Sequence, residues 1–477
     1  MAAVIIIFPK NRKLPEEKNK PFDKKTIGIF CFQGVYYNPC VQTNNKLKHG
    51  VLLMQESILN LPQQELLALS AELEEQYLEF KNRNVKLDMS RGRPAAAQLD
   101  IAMGAAEGVE NYIGVNKFDY RNYGLLDGIP EMKQYFAELL GLSPEEIIVG
   151  GNASLNLMYD AMTRLMLKGT GGEKPWKDAG TVKFLCPCPG YDRHFAICEH
   201  LGIEMITVPM LSDGPDMDMV EKLAAADESI KGIWCVPLYS NPEGICYSDR
   251  TVDRLASMKC AAKDFRIFWD NAYGVHHLYD EETPLKNILE ACRNAGNPDR
   301  VYYFFSTSKI TFPGAGVSMV AASENNRKEI LKTMGIQTIG YDKMNQIRTL
   351  NFLKDAANTR LHMKKLADSL RDKFDIVLNA LENNFAGTGI AKWNKPKGGY
   401  FVALDTMPGC ARETIRLAAE AGVKLTEAGA TFPYHKDPND SNIRIAPSFP
   451  PCQELREAMY LLCICIKLTA VRKLLTK

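Results

Sequence analysis

Between Glu146 and Phe305 the chain alternates short apolar runs with amphipathic stretches, and this alternation restricts its fold more than any other feature. The strand-like runs are Glu146–Val149, Val182–Cys186, Glu204–Val208, Gly232–Val236, Arg266–Asp270 and Tyr302–Phe305. Helical spacing fills most of the gaps, over Leu155–Leu167, Asp192–Leu201, Asp216–Ala225 and Asp249–Asp264. Short strands without a polar face need cover on both sides. The pattern therefore predicts an α/β fold with a mostly parallel sheet and helices on both faces.

The flanks read differently. Apolar positions recur at helical spacing over Leu59–Lys86, and the polar loop Leu87–Pro94 ends that helix. A second loop, Tyr120–Pro130, leads into a helix over Glu131–Leu140, with Pro130 suited to its first turn. Beyond about residue 345 come long helical stretches, the short strands Gly399–Leu404, Lys424–Thr426 and Asn442–Ile445, and a terminal helix. These predict a smaller α+β domain built from both chain ends, residues 51–115 and 346–477, around a large domain at 116–345.

Residues 1–50 match neither part. A short apolar run, Val4–Phe8, is followed by a lysine-rich stretch with little periodicity. A secretion signal has its positive charges before the apolar run, so the segment reads as a disordered extension or as the product of a mis-assigned start, with Met54 as the alternative.

Charge and cysteine usage exclude several function classes. A formal net charge of +1 offers no electrostatic case for nucleic acid or an anionic membrane surface. No uninterrupted apolar run is long enough to span a bilayer. The 13 cysteines include no CxxC pair, and the Cys186-Pro-Cys188 and Cys463-Ile-Cys465 spacings do not fit a zinc framework. Buried reduced thiols, no metal site and a cytoplasmic protein are the expectation.

Open α/β sheets bind ligands at the carboxyl ends of their strands, so the residues leaving each strand are the candidates for chemistry. Past Tyr302–Phe305 stands Ser306-Thr-Ser-Lys309, where desolvation would lower the amine's pKa and free it for imine formation. Past Val149 stands Gly150-Gly-Asn-Ala-Ser154, small residues opening a helix, which is an anion cradle. Past Val236 stands Ser240-Asn-Pro-Glu-Gly244, and past Phe268 stands Trp269-Asp-Asn-Ala-Tyr273, whose Asp270 is costly to bury without a cationic partner. Past Cys186, Pro187-Cys-Pro-Gly-Tyr191 adds an aromatic. A phosphate cradle, a buried carboxylate, an aromatic and an activated lysine together suit a phosphorylated pyridine aldehyde, with the carboxylate keeping the ring nitrogen protonated.

In their order, Tyr123, GGNAS, PGY, SNPEG, DNAY, STSK and a late Arg444, these residues resemble the fold-type I pyridoxal-phosphate enzymes. Specifically, the chain is similar to the class I/II aminotransferases, and within them to a bacterial group of aspartate aminotransferases, over about residues 55–475. The resemblance implies pyridoxal 5′-phosphate held by Lys309 as the Schiff-base lysine, which would also shuttle the proton between substrate and cofactor. It implies Asp270 on the ring nitrogen and Asn241 and Tyr273 on the phenolic oxygen. Asn152, Ala153, Ser154, Ser306 and Ser308 would hold the phosphate, and Tyr123 would reach a neighbouring subunit's phosphate in a homodimer with shared sites. Arg444 would clamp the substrate α-carboxylate, with the backbone of Gly92 beside it. The aromatic stacked on the ring would be Tyr191, with Cys188 as the alternative.

One departure from the family pattern stands out. Where relatives have a phosphate-binding arginine about eight residues after the lysine, this chain has Gly314-Ala-Gly-Val317. No second cation for an acidic side chain is singled out among Arg93, Arg121, Lys343 and Arg348, so aspartate and 2-oxoglutarate as substrates follow from the family alone. Taken singly, Asp270 also fits a helix N-cap and Arg444 a structural ion pair. A β-elimination lyase could use the same site, as could the effector domain of a transcription regulator, although residues 1–50 are too short and aperiodic for a DNA-binding helix-turn-helix.

Overall fold

The computed structural model describes residues 57–476. The expected extension at 1–50 and the alternative start at Met54 lie outside the described residues.

In chain order the strands are β1 (Leu87–Asp88), β2 (Ile147–Val149), β3 (Lys183–Cys188), β4 (Glu204–Leu211), β5 (Gly214–Pro215), β6 (Ile230–Cys235) and β7 (Arg266–Asp270). They continue with β8 (Val301–Ser306), β9 (Ser318–Ala321), β10 (Ala391–Trp393), β11 (Val402–Thr406), β12 (Val423–Lys424) and β13 (Asn442–Ile445). One eight-stranded sheet has the order β2-β9-β8-β7-β6-β3-β4-β5. Its middle, β8 to β4, is parallel throughout, while β9 runs antiparallel to both β8 and β2, and β5 antiparallel to β4.

The apolar runs explain the burial. Along β7, Ile267 and Trp269 pack into one core with Ile233, Cys235 and Phe305. Phe268, between them, faces the opposite core with Phe184, Trp234 and Phe304. A strand covered on both faces has no position to spare for a polar residue until it ends. Asp270 stands at that end.

The smaller assembly joins both chain flanks, as the sequence leads one to expect. A three-stranded antiparallel sheet, β10-β11-β13, shares a core with the helices Gln63–Asn82, Ala356–Phe385 and Cys452–Leu475. The N-terminal flank is tied in by β1, which pairs in parallel with β12.

Two element boundaries shift for tertiary reasons. The helix expected over Asp249–Asp264 stops at Ser257, with Met258 in an extended conformation. Asp264 turns inward instead and accepts from Trp176 Nε1 and Lys231 Nζ, each at 2.8 Å. The strand expected from Gly399 starts only at Val402. Gly399, at φ +78°, donates its N–H to the His276 carbonyl at 3.0 Å, which anchors that segment to the loop after β7.

Candidate active site

The ends of β6, β7 and β8, the start of the helix Ser154–Lys168 and strand β13 surround one cavity of about 330 Å³. Its lining brings together Ala153, Ser154, Tyr191, Asn241, Asp270, Tyr273, Ser306, Ser308, Lys309, Arg444 and Gly92. Of the site residues expected from sequence, only Asn152 and Tyr123 are not among those lining it. Asn152 lies at its margin, where its carbonyl accepts from the Ser308 hydroxyl. Tyr123 faces outward and is 77% exposed.

The floor is set by β7. Asp270 is 3% exposed, and its Oδ2 lies 3.0 Å from His194 Nε2. His194 is itself buried and stacks on Trp234, ring centroids 4.2 Å apart at an interplanar angle of 8°. The other carboxylate oxygen, Oδ1, is buried with no partner among the described residues. A buried acceptor left open at the edge of a pocket fits a ligand that supplies a donor. Sequence reasoning passed over His194. Its signal was position, three residues after Tyr191 and within the first turn of the helix Asp192–His200, which starts at the same sheet edge.

Lys309 approaches from the end of β8. Burial pushes its pKa down, partly opposed by the negative charge of Asp270. Its Nζ lies 5.0 Å from the centre of the Tyr273 ring. Burial also drives His276 down to about 3, helped by the Lys309 charge, so this neighbour stays neutral and adds no competing cation. The Tyr273 phenol is held well above its ordinary pKa by burial. It is a neutral hydroxyl in the working pH range.

The cradle is built by backbone and hydroxyls. Ala153, Ser154 and Leu155 open the helix Ser154–Lys168 against the cavity, offering N–H groups with no intrahelical partner. Ser306 and Ser308 face them. Gly316 closes over this corner: a Cβ there would come within 2.7 Å of Ser308 Oγ and 2.8 Å of the Asn152 carbonyl. Val317 stands eight residues past the lysine, buried, its N–H donating to Thr307 Oγ1 at 2.9 Å. An anion here meets hydroxyls and a helix N-terminus, with no guanidinium from that position.

Opposite, Arg444 projects from β13 and is 6% exposed. Its Nη1 donates to Asp192 Oδ1 at 2.8 Å and to Asn241 Oδ1 at 3.2 Å, and its Nε to Thr426 Oγ1 at 3.3 Å. The guanidinium lies 5.0 Å from the Phe401 ring, and a Cβ on Gly92 would come within 2.5 Å of that same ring. Glycine at 92 is thus what allows the loop to approach. Tyr191 lines the cavity, edge-on to His194 at 4.9 Å, whereas the Cys188 thiol turns away to the Cys186 carbonyl at 3.1 Å.

The cations considered for a second carboxylate separate clearly. Arg121 pairs with Asp119, Lys343 donates to the Gly124 carbonyl at 3.0 Å and Arg348 to Asn345 Oδ1 at 2.6 Å, and none of them lines the cavity. Arg93 does line it, stacked 3.6 Å from the Phe449 ring and 3.5 Å from Asp88. Arg91 and Arg193, not considered from sequence, also line it and take part in no ion pair among the described residues.

The cavity fits a phosphorylated ring aldehyde: an anion cradle, an orphaned buried carboxylate oxygen and an enclosed lysine face one space. Comparison with known proteins decides the family. The family model described as aspartate amino-transferase matches residues 61–477. The chain belongs to that family. It is 48% identical over 424 residues to an aminotransferase of Mycolicibacterium smegmatis, covering 88% of this chain and 99% of the relative. It is 44% identical over 402 residues to an aspartate aminotransferase of Corynebacterium glutamicum, covering 84% and 93%. The crystal structure of an aspartate transaminase from that organism superposes with a TM-score of 0.86 at 42% identity, over 88% of this chain and all of that one. The protein is a pyridoxal-phosphate-dependent aminotransferase of fold type I, with an amino acid and a 2-oxo acid as substrates. Among the described residues no helix is long and apolar enough to cross a membrane.

Proposed function

We propose that this aminotransferase moves the amino group of L-aspartate to 2-oxoglutarate, with Lys309 as the catalytic lysine. The observation that carries the reading is the meeting of Lys309 with the orphaned carboxylate oxygen of Asp270 in the cavity that Arg444 closes from the opposite side. Aspartate as donor is supported by the aspartate aminotransferase of Corynebacterium glutamicum at 44% identity.

Pyridoxal phosphate, when bound, supplies an aldehyde that links to amines and a ring that takes up the electron pair left when a bond at the substrate's α carbon breaks. The chain does the rest. Lys309 Nζ, whose pKa burial pushes down, would act as the base that takes the proton from the substrate Cα and holds it for return. Asp270 holds a proton on the ring nitrogen, itself braced by His194. Asn241 spends its Oδ1 on Arg444 and keeps Nδ2 to donate, with the Tyr273 hydroxyl, to the phenolic oxygen. Tyr191 would cover the ring, and Ala153, Ser154, Ser306 and Ser308, which line the cavity, would hold the phosphate with Asn152 at its margin. Arg444 and the Gly92 backbone receive the α-carboxylate.

A homodimer with shared sites is part of the same reading. Tyr123 is exposed on a loop against which Gly340 packs, and Ile336 and Ile339, close to it in the chain, are 86% and 61% exposed. Such a patch suits a second copy, whose phosphate Tyr123 would reach. A cytoplasmic setting is supported by the buried thiols of Cys186, Cys188, Cys235, Cys463 and Cys465, which form no disulfide.

The test is a half-reaction. The holoenzyme's visible absorption is recorded, and L-aspartate is added without any 2-oxo acid. Loss of the visible band with one oxaloacetate released per site is the expected result. A band that persists with aspartate and bleaches with another amino acid removes aspartate as the donor. Lys309→Ala is expected to abolish turnover while leaving the fold intact, and steady-state transamination by that variant would remove Lys309 from its role.

A further inference from the structure

The donors of Arg444 are already in use. Of the five N–H groups on its guanidinium, Nε faces Thr426 and the two on Nη1 face Asp192 and Asn241. Only Nη2 carries no partner among the described residues. An incoming carboxylate gripped in a fork needs two parallel N–H groups, either both Nη atoms or Nε with Nη2. Each of those edges has one tine occupied, and the strongest occupant is the Asp192 carboxylate at 2.8 Å.

Asp192 differs from the other two partners in charge and in freedom. Thr426 is fixed, since its hydroxyl donates to the Ser90 carbonyl at 2.7 Å. Asn241 sits on the rigid turn after β6, 4% exposed. Asp192 is the first residue of the helix Asp192–His200, its side chain 27% exposed, and it lines the same cavity. A helix N-terminus favours a carboxylate whether or not Arg444 is in reach, so letting go of the arginine leaves Asp192 with a stabilising environment and water.

We propose that Asp192 is a stand-in for the substrate: its carboxylate holds the Arg444 guanidinium until substrate binds and is displaced by the α-carboxylate of either substrate. This rests on the reading of Arg444 as the α-carboxylate group. Two carboxylates cannot share one Nη1 edge without repulsion, so the incoming anion and Asp192 exclude one another. The buried arginine thereby stays paired before substrate arrives, which avoids an uncompensated charge, and the exchange lowers apparent affinity for every ligand that bears an α-carboxylate. Because amino acid and 2-oxo acid present the same group, both feel the competition equally.

The experiment compares wild-type holoenzyme with Asp192→Asn and Asp192→Ser, using L-aspartate, 2-oxoglutarate and maleate, a dicarboxylate with no amine to react. Removing the competing charge is expected to lower KM for donor and acceptor by the same factor, about three- to tenfold, the range set by a partly exposed ion pair and a charged hydrogen bond. The dissociation constant of maleate, read from the shift of the visible band, should fall by that factor too. A merely structural loss would lower none of the three. Unchanged or raised KM values in both variants would overturn the proposal, since they would make Asp192 an orienting group or a bystander. Arg444→Ala separates this from the underlying assignment. If it leaves KM for both substrates unchanged, the reading of Arg444 fails. If it raises them while the Asp192 variants do not lower them, only the stand-in role fails.

Discussion

Two carboxyl groups near the strand ends, Asp270 buried and Glu243 half-buried, are partnered in different ways. Asp270 closes β7, where His194 Nε2 holds one oxygen and the other is left open toward the cavity. Glu243 sits on the turn after β6, two residues past Asn241, with Asp405 as a like-charged neighbour and no cation set against it among the described residues. Burial and Asp405 push Glu243 up to about 7. Its partners are neutral amides: Asn394 Nδ2 donates to its backbone carbonyl at 3.0 Å and also to its carboxyl, and Asn442 reaches it from β13. Burial alone favours the protonated acid, which is the case at Glu243. Asp270 leaves an acceptor open toward the cavity, whereas Glu243 joins the Asn241 turn to the strand that carries Arg444.

The first way to break this contrast is Asp270→Asn. The amide keeps the shape and the His194 contact but cannot hold a proton on the ring nitrogen. The half-reaction with the amino donor, followed by loss of the visible band, is expected to slow about 10³-fold, as for loss of one preorganised electrostatic partner. Cofactor binding should survive through Lys309 and the cradle. A variant within tenfold of wild type would show that Asp270 is a structural carboxylate like Glu243.

How far each of these groups could be read from sequence follows from what fixes it. Asp270 was legible because an acid that directly ends an apolar strand has no local excuse, and the parallel sheet was legible because its strands are apolar on both faces. Lys309 and Ser154 were legible for a related reason, each leaving a strand or opening a helix at the sheet edge. His194 was missed because its partner is 76 residues away and the ring it stacks on, Trp234, lies on β6. The Glu243 cluster was missed because it draws on segments near 243, 394, 405 and 442, which only the packing of two sheets brings together. Arg91 and Arg193 were passed over for the reason any exposed arginine is: nothing local separates a charge at a cavity mouth from one in water. The end of the helix at Ser257 was set by Asp264 turning in to Trp176 and Lys231, again a contact between distant segments.

The second prediction reads the Glu243 side of the contrast through stability. An acid whose pKa rises from 4.5 unfolded to about 7 folded binds extra protons in the native state between those values. Its stabilising contribution is therefore complete below about pH 4.5 and is lost as pH rises through about 7. Glu243→Gln resembles the protonated acid at every pH. Its thermal or denaturant stability should match wild type near pH 4 and exceed it at pH 8, by up to about 3 kcal/mol, since each tenfold change in proton affinity on folding is worth ~1.4 kcal/mol. Equal stability at both pH values would mean that Glu243 is solvated as an ordinary surface acid.

The smallest effect isolates the like-charge component. Asp405 lies on β11, where its Oδ1 accepts from Asn442 Nδ2 at 2.9 Å, and its own pKa is raised by burial. Asp405→Asn retains an oxygen for that bond and removes the charge. Burial, the larger cause of the raised Glu243 pKa, is untouched, so the midpoint at which wild-type stability declines should move down only part of the way from about 7 toward 4.5. In a double-mutant cycle the benefit of Glu243→Gln at pH 8 should shrink in the Asp405→Asn background by about 0.5–1 kcal/mol, the scale of coupling between neighbouring groups in contact. Strict additivity would assign the whole effect to burial. A loss of the entire benefit would make the two acids one proton-sharing pair, and the contrast with Asp270 would then lie in the second carboxylate rather than in the missing cation.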